Sequence, residues 1–311
     1  MSLLVIGDAS VDLEIRLPPG QDSEDHANPE PRLFGGGSAA NTAAAVARLG
    51  VGCRFIGTVG DDGYGRFAVA SLEAAGVDTG GIRATSEAPT VTVIAVVQSG
   101  GDRLLYVWPP SGGAHGELLP STAVDAVAGA DWLHVSGICL RVSPAREAVL
   151  AAMERARGVG VPVSFDLNLR LENWGWDEGF RDVVESAIEQ SDVVFGSAFD
   201  EVGALAGIED PGEAAKSLAG DRRLVIARFG PKGAVAFSDE GVLEARGFKV
   251  SVLDTVGAGD AFNAGFIVAR LRGLEVGEAL RWGNAVAGLA VTKSGARSTP
   301  TVQQVEALLA E

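Results

Sequence analysis

The sequence predicts an α/β fold: a doubly wound, mainly parallel sheet with helices on both faces and a small β-sheet lid. Three observations lead there. Short runs of buried-strand character alternate with helical segments over most of the 311 residues, the pattern of a parallel sheet wrapped by helices. Several helical segments stop at a glycine, as helices commonly do. Two stretches, residues 13–34 and 88–113, leave that rhythm and supply the lid. A composition of 47% hydrophobic and 21% charged residues gives such a chain enough apolar surface to bury a large core.

In chain order, strands are expected at residues 3–6, 54–58, 132–135, 161–165, 193–195, 224–227 and 234–237. Helices are expected over 39–49, 65–75 and 145–157, ending at Gly50, Gly76 and Gly158, and over 180–190. An apolar-periodic stretch at 261–271 reads as a further helix. Residues 13–34 are rich in proline and carry no helical period, and residues 88–113 hold two β-rich runs around Ser99-Gly100-Gly101-Asp102, a hairpin signal. A lid assembled from both pieces is one reading, and a surface excursion plus an antiparallel edge hairpin is the other. Spacing alone does not separate them. No internal repeat, low-complexity segment or interdomain linker interrupts the chain, so residues 1–311 are expected to form a single domain.

Charge and cysteine usage exclude several functions. A formal net charge of −16 repels phosphate backbones and anionic lipid surfaces, so nucleic-acid and membrane partners are disfavoured. Cys53 and Cys139 are far apart, and His26, His115 and His134 are equally scattered, which leaves no zinc or disulfide framework. The first strand meets Gly7-Asp8 too soon for a signal peptide, and the apolar run at 91–97 is too short to span a bilayer. A cytoplasmic protein is expected.

The most informative segment runs from Asp254 to Gly265, DTVGAGDAFNAG. Its small-residue loop Gly257-Ala258-Gly259 leads straight into the 261–271 stretch and so sits at a helix N-terminus. Unpaired amides and the helix dipole there favour an anion, such as a phosphoryl group in transfer. Asp260 falls in the first turn, where its carboxylate can face the same spot and accept a proton from an attacking hydroxyl. An Asp in a first turn also caps its helix, and from the loop alone that plainer reading leads.

A second glycine run, Gly35-Gly36-Gly37-Ser38-Ala39-Ala40-Asn41, likewise enters a helix with one amide side chain a turn inside. Close backbone approach together with an amide that both donates and accepts suits a polyol, while a flexible turn before a capped helix is the structural alternative. Neither loop matches GxxxxGK[ST], which excludes a P-loop. Gly7-Asp8-Ala9-Ser10, after the first strand, lacks the dinucleotide-binding GxGxxG.

Taken together, these residues resemble the ribokinase-like carbohydrate kinases, the PfkB family. The block from Gly36-Gly37 to Asn41 resembles its N-terminal signature, and Asp254-Thr255 through Gly257-Ala258-Gly259-Asp260 resembles its C-terminal DTxGAGD signature. Both stand in the expected order and separation, and the similarity extends from the first strand to the last helix. The resemblance implies an ATP-dependent sugar kinase with Asp260 as catalytic base and the amides of Gly257, Ala258 and Gly259 as anion hole. It implies that Asp12 grips sugar hydroxyls beside Gly36, Gly37 and Asn41, where a solvent-facing turn residue is the alternative for Asp12. Phe229-Gly230-Pro231-Lys232-Gly233 resembles the nucleotide-side turn, and Asn284 sits where the family's C-terminal helix passes the adenine, unless it is an ordinary helix-surface amide. A K+ site would use carbonyls near Asp254 and Val256 and the 293–298 loop. Mg2+ is expected on physical grounds too, because the acidic field opposes ATP unless a cation neutralises it.

One departure stands out. The family's Asn-x-x-Glu motif reads Ala198-Phe199-Asp200-Glu201 here, so Glu201, which helps organise magnesium-bound water, is kept and the Asn is absent. For the acceptor, Asp166-Leu167-Asn168-Leu169-Arg170 resembles the DxNxR stretch of the fructokinase and 2-keto-3-deoxygluconate kinase branches. Arg170 at a strand's C-terminal end can reach a carboxylate or phosphate, or it can pair with Asp166 or Glu172 and order the loop. The lid segment Leu105–Pro109 lacks the Tyr-Arg pair expected beside that sugar acid, and Tyr106 and Trp108 offer stacking surfaces for a sugar ring or a base. Asp22 with the 36–43 block also resembles kinases of modified nucleosides such as pseudouridine. A binding protein of the same fold without turnover is the rival from another class, and the retained Asp260 and anion hole argue against it. Apolar lid positions such as Val91, Val93 and Leu105 are expected to be partly uncovered on a monomer, which raises a homodimer through the lid.

Overall fold

The structure, a computed structural model, describes residues 1–17, 30–97, 103–221 and 223–311, including all their side chains except those of residues 172 and 173. Asp22, His26 and the Ser99-Gly100-Gly101-Asp102 turn lie outside the described residues. Among those described, thirteen strands form: β1 (Ser2–Ile6), β2 (Ser10–Arg16), β3 (Arg32–Gly36), β4 (Gly52–Gly60), β5 (Asp78–Thr85), β6 (Thr92–Val97), β7 (Arg103–Trp108), β8 (Trp132–Ser136), β9 (Val163–Asp166), β10 (Val193–Ser197), β11 (Leu224–Arg228), β12 (Gly233–Ser238) and β13 (Gly241–Arg246). Nine of them make one sheet in the order β13-β12-β11-β10-β9-β8-β1-β4-β5, parallel from β5 to β11 and antiparallel at β12 and β13. The inner strands are buried on both faces, which is why they read as continuous apolar runs rather than alternating ones.

Two cores flank this sheet. On one face the alanine-rich helix Ser38–Arg48 and the helices Ala258–Leu271 and Val276–Ala290 cover Leu3, Val5, Phe55 and Phe195. The other face packs helices Ala145–Gly158 and Glu178–Glu189 over Leu4, Ile6, Leu133 and Phe165. Fully burying one such phenylalanine stabilises the fold by roughly 1.5–3 kcal/mol. His134 belongs to this interior: its Nδ1 lies 2.9 Å from Ser164 Oγ, and burial pushes its pKa down to about 4, so it is a neutral core residue. The first two helix stops fall where expected, with Gly50 and Gly76 at φ 81° and 90°. The third helix runs through Gly158, and Gly160, at φ 76°, supplies the left-handed stop instead.

A second sheet of four strands, β3-β2-β6-β7, forms mainly from the described parts of the two stretches 13–34 and 88–113. β6 and β7 form the antiparallel pair anticipated from the glycine turn, while β2 runs antiparallel to β3 and parallel to β6. In the main sheet the chain steps from β1 outward to β4 and β5, then returns to β8 on the other side of β1 and continues to β11. That reversal opens a crevice at the carboxyl ends of the strands, the general ligand position in open α/β sheets. No helix among the described residues is long and apolar enough to cross a membrane.

Candidate active site

The helix Ala258–Leu271 begins at Gly257, whose φ of 77° is left-handed and where an added Cβ would come within 2.5 Å of the Ala296 carbonyl oxygen. Glycine alone adopts that conformation against backbone so close. Asp260 follows in the first turn and is buried. Its Oδ1 accepts a hydrogen bond from Ser38 Oγ at 2.7 Å and its Oδ2 one from Asn41 Nδ2 at 2.9 Å. Both donors belong to the first turn of helix Ser38–Arg48, so two helix N-termini converge on one carboxylate. Burial, reinforced by the like charge of Asp166, pushes the Asp260 carboxyl up to about 6, against the pull of its two donors and of Arg170. A carboxylate poised there accepts protons at neutral pH far better than an ordinary Asp.

A second cluster is built around Arg297. Its Nη2 donates to the Gly36 carbonyl at 2.8 Å, Nη1 to Ser71 Oγ at 2.8 Å and Nε to Asn41 Oδ1 at 3.1 Å. Asp12, on β2, sits against Gly36: a Cβ at Gly36 would lie 2.5 Å from an Asp12 carboxylate oxygen, so the glycine makes room for that carboxyl. Burial raises Asp12 to about 6, with Arg297 countering and Asp254 and Asp8 reinforcing. Burial likewise lowers Arg297 to about 10, opposed by Asp12, Asp260 and Asp8. Gly37 is the N-cap of helix Ser38–Arg48 and has no side chain to cap with. Asp8, 30 residues away, does so instead, taking the amides of Ser38 at 2.8 Å and Ala39 at 3.2 Å.

Beyond β9, Asn168 and Arg170 hold left-handed φ values of 42° and 49°. Such conformations cost on the order of 1–3 kcal/mol each in a residue other than glycine and persist only when neighbours fix them. Asn168 Nδ2 is bonded to Ser38 Oγ, and the Leu169 amide donates to Glu201 Oε1 at 3.0 Å. Asp166 is not the partner of Arg170. It accepts from Arg228 Nη2 at 2.8 Å and Asn263 Nδ2 at 2.9 Å, while the side chain of Glu172, the other candidate partner, lies outside those described; the Arg170 charge lowers both Asp12 and Asp260.

On the far side of Asp260, the Arg228 guanidinium lies against Gly259, where a Cβ would come 2.9 Å from Nη1. Arg228 also meets Glu201 at 3.7 Å. Each Glu201 oxygen accepts one backbone amide, from Leu169 and from Ser197 at 2.7 Å, and burial with the charge of Asp166 raises its pKa. Ala198, in the place of the family Asn, is wholly buried. Of the three loop amides, that of Ala258 turns back to the Thr255 carbonyl at 3.2 Å. Asp254 accepts from the amides of Val256 at 3.1 Å and Gly295 at 3.0 Å, which ties the loop to residues 293–298. Phe229 stacks edge-on with the exposed Phe199, and Gly230 and Gly233 take positive φ in the turn after β11.

The structure thus gathers Asp260, Asn41, Gly36, Gly37, Asp12, Arg170 and Gly257–Gly259 at one crevice. Two expected residues stand elsewhere. Register puts Trp108 in a row with Thr92 and Val11, on the sheet face opposite to the row of Asp12, Val93 and Val107. Asn284 is buried and donates to the Ala245 carbonyl at 2.8 Å, pinning its helix to β13. Sequence reading passed over Asp8, Ser38, Arg228 and the Arg297 side chain. Ser38 lay in the quoted glycine block, but a serine after glycines reads as a turn residue.

The chain is similar to known proteins over nearly its whole length. The family model for pfkB family carbohydrate kinases matches residues 1–302. An ATP-dependent ribose-1-phosphate kinase of Halopiger xanaduensis is 35% identical, over 99% of this chain and 98% of its own. A 5-dehydro-2-deoxygluconokinase of Bacillus subtilis is 32% identical, over 88% of this chain and 86% of its own. A Vibrio cholerae fructokinase double mutant, solved with fructose, ADP and a potassium ion bound, superposes with a TM-score of 0.82 at 30% identity, covering 99% of this chain and 98% of that one.

Proposed function

The chain belongs to the pfkB family of carbohydrate kinases and is a phosphotransferase with an alcohol group as acceptor; from that premise we propose that it transfers the γ-phosphate of ATP to a hydroxyl of an anionic sugar, with Asp260 as general base. The observation that carries the proposal is the buried Asp260 carboxylate, raised to about 6 and set between the acceptor-side residues and the Gly257–Gly259 loop. Asp12 and Asn41 grip the acceptor beside Gly36 and Gly37, Asp260 takes the proton of the attacking hydroxyl, and the amides at Gly257 and Gly259 receive the transferring phosphoryl group. The whole chain acts as one domain, with the four-stranded sheet as its lid.

The charge of the acceptor is argued from Arg170. Arg170 is exposed in the loop after β9; of its two candidate loop partners, Asp166 is held by Arg228 and Asn263, and the Glu172 side chain lies outside those described. Two relatives carry names whose acceptors are anionic, a sugar phosphate and a sugar acid. Magnesium would arrive with the nucleotide, and Glu201 would be the residue to act on it through water, where the ion would neutralise phosphate charge. The Glu201 oxygens, each with one amide bond, keep a lone pair for that purpose. K+ would be held by carbonyls near Asp254 and Val256, where the bonds of Asp254 to the Val256 and Gly295 amides hold the two loops together.

The test is magnesium-dependent ADP release with ribose 1-phosphate, 5-dehydro-2-deoxygluconate, ribose, fructose and pseudouridine. The anionic acceptors should give the highest kcat/KM, and Arg170→Ala should erase most of that preference while affecting neutral acceptors little. Equal or greater turnover of a neutral sugar or nucleoside by the wild type would refute the charge assignment.

A further inference from the structure

Arg297 stands 256 residues from Asn41 in the chain, outside both glycine loops, yet its guanidinium forks over three acceptors at the heart of the crevice. Nε donates to Asn41 Oδ1, Nη1 to Ser71 Oγ and Nη2 to the Gly36 carbonyl. A primary amide whose oxygen is held by a guanidinium on one side turns its NH2 to the other. In Asn41 that NH2 meets Asp260 Oδ2 at 2.9 Å. Were the amide flipped, its oxygen would face the carboxylate and its NH2 the guanidinium, and two bonds would become two repulsions. Ser71, on helix Gly63–Ala74, and the Gly36 carbonyl prevent the guanidinium from following such a flip.

Resting on the reading of Asp260 as base, we propose that Arg297 is a positioning residue for the base: it fixes the orientation of the Asn41 amide and thereby aims the Asp260 carboxylate. The three contacts also join the base to the acceptor loop, since the guanidinium that sets Asn41 holds the backbone of Gly36. The same 293–298 loop presses on the anion side, where Ala296 faces Gly257. The charges acting on Asp260 from its surroundings are those of Asp166 on β9, Arg170 beyond it, Arg228 on β11 and Arg297.

The experiment is a double-mutant cycle on kcat between Arg297→Lys and Asn41→Ala, with KM for the acceptor and the pH profile recorded for each enzyme. Lysine keeps the charge, but its three donors radiate from one nitrogen and cannot span acceptors spaced around a planar guanidinium. Arg297→Lys should lower kcat by about ten- to a hundredfold, the value of an oriented bond to a charged group, with a smaller change in KM. In the Asn41→Ala background the same substitution should cost little more, because the amide it orients is gone. Arg297→Gln, which removes a positive charge as well, should move the acid limb of kcat to higher pH. Should Arg297→Lys not fold, Ser71→Ala gives the same readout from outside the site: a severalfold loss of kcat that vanishes in the Asn41→Ala background. Additive losses across the cycle, or a raised KM at unchanged kcat, would overturn the role assigned to Arg297. Asp260→Asn separates the two levels. Turnover in that variant sinks the base itself, whereas an inactive Asp260→Asn beside an additive cycle sinks only Arg297.

Discussion

Burial and hydrogen bonding pull the Asp260 carboxyl in opposite directions, and burial prevails, with consequences of opposite sign for activity and stability. Activity needs the carboxylate, so kcat/KM should fall about tenfold per pH unit below about 6, two units above where an ordinary Asp would act, as a pH-rate profile will show. Stability runs the other way. Asp260 and Asp12 hold their protons to about 6 in the folded chain and to 3.8 otherwise, so the folded state binds more protons between those values and loses stability as pH rises through them. Asp260→Asn and Asp12→Asn should therefore raise the melting temperature at pH 7.5 and lose that gain near pH 4. A lower melting temperature at pH 7.5 would contradict the burial argument. At this scale the sequence discloses residues whose chemistry sits inside one contiguous loop, which is why Asp260 and Gly257 could be read. Asp8, Arg228 and Arg297 could not, because the partners that give them meaning lie 30 to 256 residues away. The ring of Trp108 suits stacking on a sugar or base, but the two-residue period of its strand turns it to the face opposite Asp12.

The helix Ser38–Arg48 shows how an element can depend on a distant residue. Its own N-cap is Gly37, and Asp8, just past β1, satisfies its first amides. Asp8→Ala should cost about 1–2 kcal/mol of stability in a denaturant titration. It should also lower kcat, since the turn it frees carries Ser38 and Asn41; a variant with wild-type stability would show that other groups cap this helix. The loop after β9 is held similarly, by Glu201 through the Leu169 amide and by Asn168 through Ser38. Inner strands and most long helices were legible because burial on both faces or on one stripe leaves an apolar imprint. β5 and β13 were not, for they are the outer strands of the sheet: β5 carries Gly80-Gly81 and β13 is largely exposed, so neither shows a buried run. Boundaries slipped where two glycines compete, as at Gly158 and Gly160.

At the scale of the whole molecule, one sheet supplies the crevice and a second, smaller one stands beside it, with Asp12 on its strand β2 and Gly36 on its strand β3. Leu104, Leu105, Tyr106, Val107 and Trp108 of β7 are each 46–64% exposed, so this edge strand presents apolar side chains on both faces. Unpaired apolar edges invite association, and we expect two lids to pair into a homodimer. Light scattering after gel filtration should give twice the chain mass, reduced to a single mass by Leu105→Lys with Val107→Lys; a monomer at all concentrations would contradict it. The alternation of strand and helix along the chain made the overall fold legible, but not the face on which each residue of the smaller sheet would lie, since register is set by pairing between distant strands. What the assembled molecule is held to do rests on Asp260. Magnesium-dependent ADP release in the presence of the preferred acceptor, measured for the wild type and Asp260→Asn together with nucleotide affinity, tests this most directly. Turnover should fall by roughly 10²–10⁴-fold with nucleotide affinity nearly unchanged, and wild-type turnover in Asp260→Asn would contradict the account.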